Sequence, residues 1–151
     1  MKKIALAIGV FCSGLMGYAL DSYVAKVWLH EVQFNVAKDM NNNAPVSVKI
    51  VIVYDNDLYK KMGKLTAAQF FEQEASLAAD NAGKFEVFNA EIVPGQKNDP
   101  LLIEPKDTSG VGIWVFGRYA TPGPHRQSIG TDRIVQLNLL KKDFKVATIK
   151  P

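Results

Sequence analysis

Cysteine is almost missing from this chain: Cys12 is the only one in 151 residues, and it sits in the first apolar stretch. Beyond it there is no disulfide, no thiol nucleophile and no cysteine-held metal. Histidine is nearly as scarce, with His30 and His125 alone, so a general base has few places to be. No glycine-rich phosphate loop, internal repeat or low-complexity tract is present. No basic run is interleaved with aromatics and the net charge is only +3, which argues against a nucleic-acid partner. Neither a cofactor nor a metal is expected.

The N-terminus carries the clearest address. Lys2 and Lys3 precede an apolar run from Ile4 to Phe11 that continues to Leu20, the pattern of an export signal. Small residues at Gly17 and Ala19 suit a signal peptidase. Residues 1–19 are therefore expected to be a signal peptide or an N-terminal membrane anchor, with 20–151 a single domain. Three fates stay open. Cleavage after Ala19 releases the domain. Retention leaves an anchor near the lower limit of the roughly 17–25 residues that span a bilayer. Lipidation at Cys12 is the third, although Phe11 is bulky where a lipobox holds a small residue. The domain is expected in the periplasm, with attachment to the outer or inner membrane through the N-terminus as an open choice.

The remaining chain reads as mainly β. Val27 to Val36 alternates, with Trp28, His30, Val32, Phe34 and Val36 on one face. Val46 to Tyr54 alternates too, yet Val51 and Val53 make its second face apolar, so it is expected to be a central strand covered on both sides. Thr66 and Gln69 form a capping box, with Leu65 and Phe70 as the flanking staple, predicting a helix from Ala67 to about Ala79. Its buried side is expected from Phe70, Phe71, Ala75, Leu77 and Ala78. Further strands are expected over 85–93, 101–104, 111–119, 133–140 and 143–149. Pro94-Gly95 and Lys141-Lys142 mark turns. Seven strands and one inserted short helix predict a two-sheet β-sandwich.

Few residues suggest chemistry. His125, with Ser128 and Asp132 nearby in sequence, is the only material for a hydrolase, and it reads as a solvated loop. Asp55-Asn56-Asp57 looks like part of a calcium loop but lacks the glycine and the closing glutamate, so it reads as a strand-ending turn. Glu72 and Glu74 read as an exposed helix face. Gly110 and Gly112, read inside a strand, suggest close backbone approach or a bulge. Trp114, Phe116 and Tyr119 read as core; exposed in a concave site, they would instead suit a sugar or small ligand. Asp39 to Asn43, with three consecutive asparagines, can present many donors and acceptors to a partner.

Five segments in order resemble the TssJ family, small periplasm-facing lipoproteins of the type VI secretion membrane complex. They are Asp39-Met-Asn-Asn-Asn-Ala-Pro45-Val46, Val48 to Tyr54, Leu65 to Phe71, Glu91-Ile-Val-Pro94-Gly95-Gln96 and Val111 to Tyr119. The resemblance spans roughly 32–140 and departs from the family at the lipobox. It implies a transthyretin-like sandwich, no enzyme activity, and a structural role in a secretion machine. It also implies that the loop Ala37 to Pro45 docks on the periplasmic domain of TssM, a large inner-membrane partner, among other secretion-complex subunits. Carried onto this chain, the docking residues are Asp39, Met40, Asn41, Asn42 and Asn43. A type IVB secretion apparatus using the same domain, or a periplasmic ligand-binding module, are the alternatives.

Overall fold

The computed structural model describes residues 27–149. The leader, its cleavage after Ala19 and lipidation at Cys12 lie outside the described residues. Within them, eight strands and two α-helices follow in the order β1 (Glu31–Val36), β2 (Val46–Val53), α1 (Asn56–Met62), α2 (Ala67–Asp80), β3 (Phe85–Ile92), β4 (Leu101–Leu102), β5 (Gly112–Gly117), β6 (Arg126–Ile129), β7 (Ile134–Leu139) and β8 (Phe144–Thr148). They form two four-stranded sheets, ordered β4-β1-β7-β8 and β3-β2-β5-β6. The β1–β7 pair is parallel, and the other pairs among these strands are antiparallel. The molecule is a two-sheet β-sandwich, as expected, with two helices rather than one on its outside.

Strand β2 explains the layering. Val46, Val48, Ile50 and Ile52 face the core between the sheets, together with Val32, Ile113, Val115, Leu137 and Phe144. Val51 and Val53 face the other way, into a second core under the helices with Leu58, Met62, Phe70, Leu77 and Phe116. Both faces of this strand are thus buried, as its sequence implies. The capping box forms too: the Thr66 side chain accepts from the Gln69 amide at 3.2 Å and the Gln69 side chain from the Thr66 amide at 2.9 Å. Phe70 then lies flat on Phe116, ring centroids 4.3 Å apart.

Several expectations need correction. Asp55 does not merely end β2: its carboxylate accepts from the Leu58 amide at 2.8 Å and caps α1. That amide holds the carboxyl below its usual range. Leu58 and Met62, four apart, form the buried stripe of α1. The stripe of α2 is narrower than expected, because Ala75 and Ala78 are exposed. Glu74 is not on a free face but pairs with Lys49 of β2. Residues 126–129, expected to belong partly to a loop, form β6; with only Ile129 buried, this edge strand has no alternation to read. Near the start of β1 the pattern slips by one residue. His30 and Glu31 both donate their amides to the Arg133 carbonyl, at 2.8 and 3.2 Å, so two residues face one, as in a bulge. Val27 and Leu29 turn inward, while Trp28 is 50% exposed and His30 lies outside the strand, exposed.

The paired glycines do mark close approach. A Cβ on Gly110 would lie 2.5 Å from Val27, and one on Gly112 would lie 2.5 Å from the Tyr59 ring, which is itself stacked on Trp114. The Tyr59 ring would have to shift off its stack on Trp114. Gly112→Ala is expected to lower the unfolding free energy by about 1–3 kcal/mol, measured by urea titration.

Candidate functional site

One end of the sandwich gathers three connections: 37–45 between β1 and β2, 118–125 between β5 and β6, and 140–143 between β7 and β8. The first of these contains the asparagine triplet. Asn41, Asn42 and Asn43 all have positive φ, at 47°, 53° and 64°. Asparagine tolerates the left-handed region better than other non-glycine residues, because its short polar side chain bonds locally. Three in succession turn the chain sharply between two strands of different sheets. The run therefore has a backbone reason as well as a surface one.

The five candidate residues divide in two. Met40 is fully buried in the inter-sheet core, and Asn41 is 4% exposed. The Asn41 side chain donates to the Pro45 carbonyl at 3.0 Å and accepts from the Ala120 amide at 2.9 Å. Its own amide donates to the Leu140 carbonyl at 3.3 Å. Asn41 thus ties all three connections together. Asp39, Asn42 and Asn43 are exposed, with Asp39 near Lys141 at 3.8 Å. Met40 and Asn41 hold the turn, and only the other three present side chains to solvent.

His125 is the second tie. The sequence suggests a solvated loop here, but the residue is 5% exposed with φ of 42°. Its Nδ1 faces the Asp143 carboxylate at 3.0 Å and its Nε2 the Thr121 carbonyl at 2.6 Å. The ring stacks on Tyr119, centroids 5.1 Å apart, and Gly123 lies against its edge. Thr121 Oγ1 donates to the Lys142 carbonyl at 2.7 Å. Neither Ser128 nor Asp132 is among the partners of His125; Asp132 accepts from Thr148 instead. With both ring nitrogens held by structural oxygens, His125 is not placed as a general base. The sequence signal for this burial is slight: only the surrounding prolines and glycine, which allow a tight turn around a ring.

The aromatic alternative loses its cavity. Trp114 lies beneath the helices, stacked on Tyr59 with centroids 4.9 Å apart, and its Nε1 donates to the Tyr59 carbonyl at 3.0 Å. Phe116 and Tyr119 are buried. Burial pushes the Tyr119 hydroxyl well above the usual phenol range and raises that of Tyr59. Among the described residues no group of three or more histidine, cysteine or carboxylate side chains is placed to hold a metal.

No protein-family model matches the sequence, and no curated protein does. Solved structures do share the fold. The structure of Lip from Serratia marcescens, a membrane-bound component of the type VI secretion system, superposes with a TM-score of 0.57 at 11% identity, over 80% of this chain and 96% of Lip. The type VI lipoprotein TssJ1 from Pseudomonas aeruginosa gives 0.57 at 12% identity, over 80% of this chain and 95% of its own. A chain of a type VI membrane complex gives 0.58 at 14%, over 81% and 99%. The chain is TssJ-like in fold, across nearly the whole length of each of these proteins.

The division within the loop predicts opposite behaviour at neighbouring positions. Asn41→Ala removes a buried side chain that bonds both the Ala120 amide and the Pro45 carbonyl, and is expected to cost about 1–3 kcal/mol of stability. Asn42→Gly and Asn43→Gly keep the left-handed backbone and are expected to change it by less than about 1 kcal/mol. Thermal and urea unfolding of the three variants checks this.

Proposed function

We propose that this protein is a non-enzymatic structural subunit of a type VI-like secretion membrane complex. In this reading it docks on the periplasmic domain of a TssM-like inner-membrane partner through the loop end of its sandwich. It works in the periplasm, held at a membrane by its N-terminal segment. The fold shared with type VI lipoproteins supports the machine. The observation that carries the docking is the asparagine turn, in which Asn42 and Asn43 stand exposed on a backbone pinned by buried Met40 and Asn41.

The physical case is one of pre-organisation. A loop that must order on binding loses conformational entropy at that moment, and affinity drops accordingly. Here Asn41 already joins the turn to its two neighbouring connections, and His125 joins those two to each other. Exposed amides can then meet a partner without rearrangement, each offering two donors and an acceptor. Asp39 adds one negative charge at the rim.

Affinity purification from native cells after cross-linking tests the reading. Recovery of a large inner-membrane protein with a periplasmic domain is expected, and its loss when Asn42 and Asn43 are both replaced by glycine. Retention of that partner by the doubly substituted protein would remove the loop from the interface. Absence of any secretion-complex subunit would remove the machine.

A further inference from the structure

Strand β3 ends its sheet, and its backbone directions can be worked out from the bonds around β2. The Arg118 and Val111 amides donate to the Ser47 and Val53 carbonyls, so the odd-numbered residues of β2 turn toward β5. The Tyr54 amide donates to the Lys84 carbonyl, so the even-numbered ones turn toward β3. The register pairs Val48 with Ala90, Ile50 with Phe88 and Ile52 with Glu86. Those three residues of β3 therefore spend their amides and carbonyls on β2. The N–H and C=O groups of Val87, Asn89 and Glu91 point away from the sheet. Among the described residues no strand pairs with that edge.

The other edges are short or covered, and this one is long and open. Strand β4 has two residues and β6 has four. The β8 edge is covered by Gln127, whose side-chain amide donates to the Phe144 carbonyl at 2.6 Å and accepts from the Val146 amide at 3.1 Å. Strand β3 has eight residues, without lysine or proline, and Glu86 and Glu91 are the charges it carries along its length. A cleft of about 300 Å³ runs beside its C-terminal half, with Ala90, Ile92, Phe34 and Leu101 as its apolar wall and Lys97, Asn98 and Asp99 of the following loop as its polar one.

We infer that the outer edge of β3 takes an extended segment of a partner polypeptide as an added strand. Alternating free donors and acceptors match an extended backbone. Charge selects which one. Strand β3 itself bears only Glu86 and Glu91, and Glu91 is exposed with the Ser47 hydroxyl as its hydrogen-bond partner. Two copies of β3 side by side would collect four carboxylates on one ribbon in any register, which disfavours self-pairing. A segment with lysine or arginine beside Glu91 and apolar residues toward the Phe34–Leu101 cleft is complementary. This surface does not depend on the docking loop.

A display library of random eight-residue peptides, selected on the full-length chain, tests the inference. Enriched peptides are expected to alternate apolar and basic residues. Asn89→Pro removes one outward amide without touching the ladder to β2 and is expected to weaken binding by about tenfold or more, while Asn89→Thr, which keeps the amide, changes it by less than about twofold. In the unaltered protein, bound peptide is expected to slow amide exchange at Val87, Asn89 and Glu91 but not at Phe88 and Ala90. That alternation decides the matter even if the proline variant folds poorly. Failure to enrich any peptide, or protection elsewhere, overturns the inference. So does a dimer of the unaltered chain that Asn89→Pro dissociates, which would give the edge to a second copy.

Discussion

Two-sided burial of β2 is the constraint on which the other elements rest. Fully burying a side chain of the size of valine or isoleucine contributes about 1.5–3 kcal/mol, and this strand buries six of them. One face needs an opposing sheet and the other needs a cover. The helices are that cover: without them Val51, Val53 and Phe116 would face water. Hence both helices have well-formed starts, with Asp55 capping α1 and the Thr66–Gln69 box capping α2. The connection between β2 and β3 is in effect a third layer.

Strain at the loop end is offset by ties to the same framework. Three consecutive left-handed residues would be unfavourable in isolation. Met40 secures the turn by full burial, and Asn41 by bonds to the connections on either side. His125 repeats the device one loop further on, joining Thr121 and Asp143. The sandwich therefore presents a stiff, polar end from chain segments that would otherwise be mobile, which suits recognition by shape rather than chemistry. Its open β3 edge offers a different kind of contact, through backbone rather than side chains.

Elements with strong periodicity are legible in the amino-acid sequence. The alternation of 46–54, its second apolar face, the capping box at Thr66 and the close approach implied by Gly110 and Gly112 all follow correctly from residue type and spacing. Short or polar elements are not legible in this way. Helix α1 spans seven residues with two buried positions, and β6 spans four with one, too little for either period to show. The slip at His30 leaves no trace in the sequence, because a bulge exists only relative to its partner strand.

The candidate site divides the same way. Residue type determined that 37–45 would be a polar turn between strands, since asparagine and proline break sheets whatever surrounds them. Which asparagine faces the protein and which faces water was decided by tertiary structure alone. Asn41 finds the Ala120 amide and the Leu140 carbonyl only after strands distant in sequence have packed together. His125 meets Asp143 for the same reason. Local preferences of a chain are written in neighbouring residues, whereas burial and hydrogen-bond partners depend on which distant segments the fold brings together.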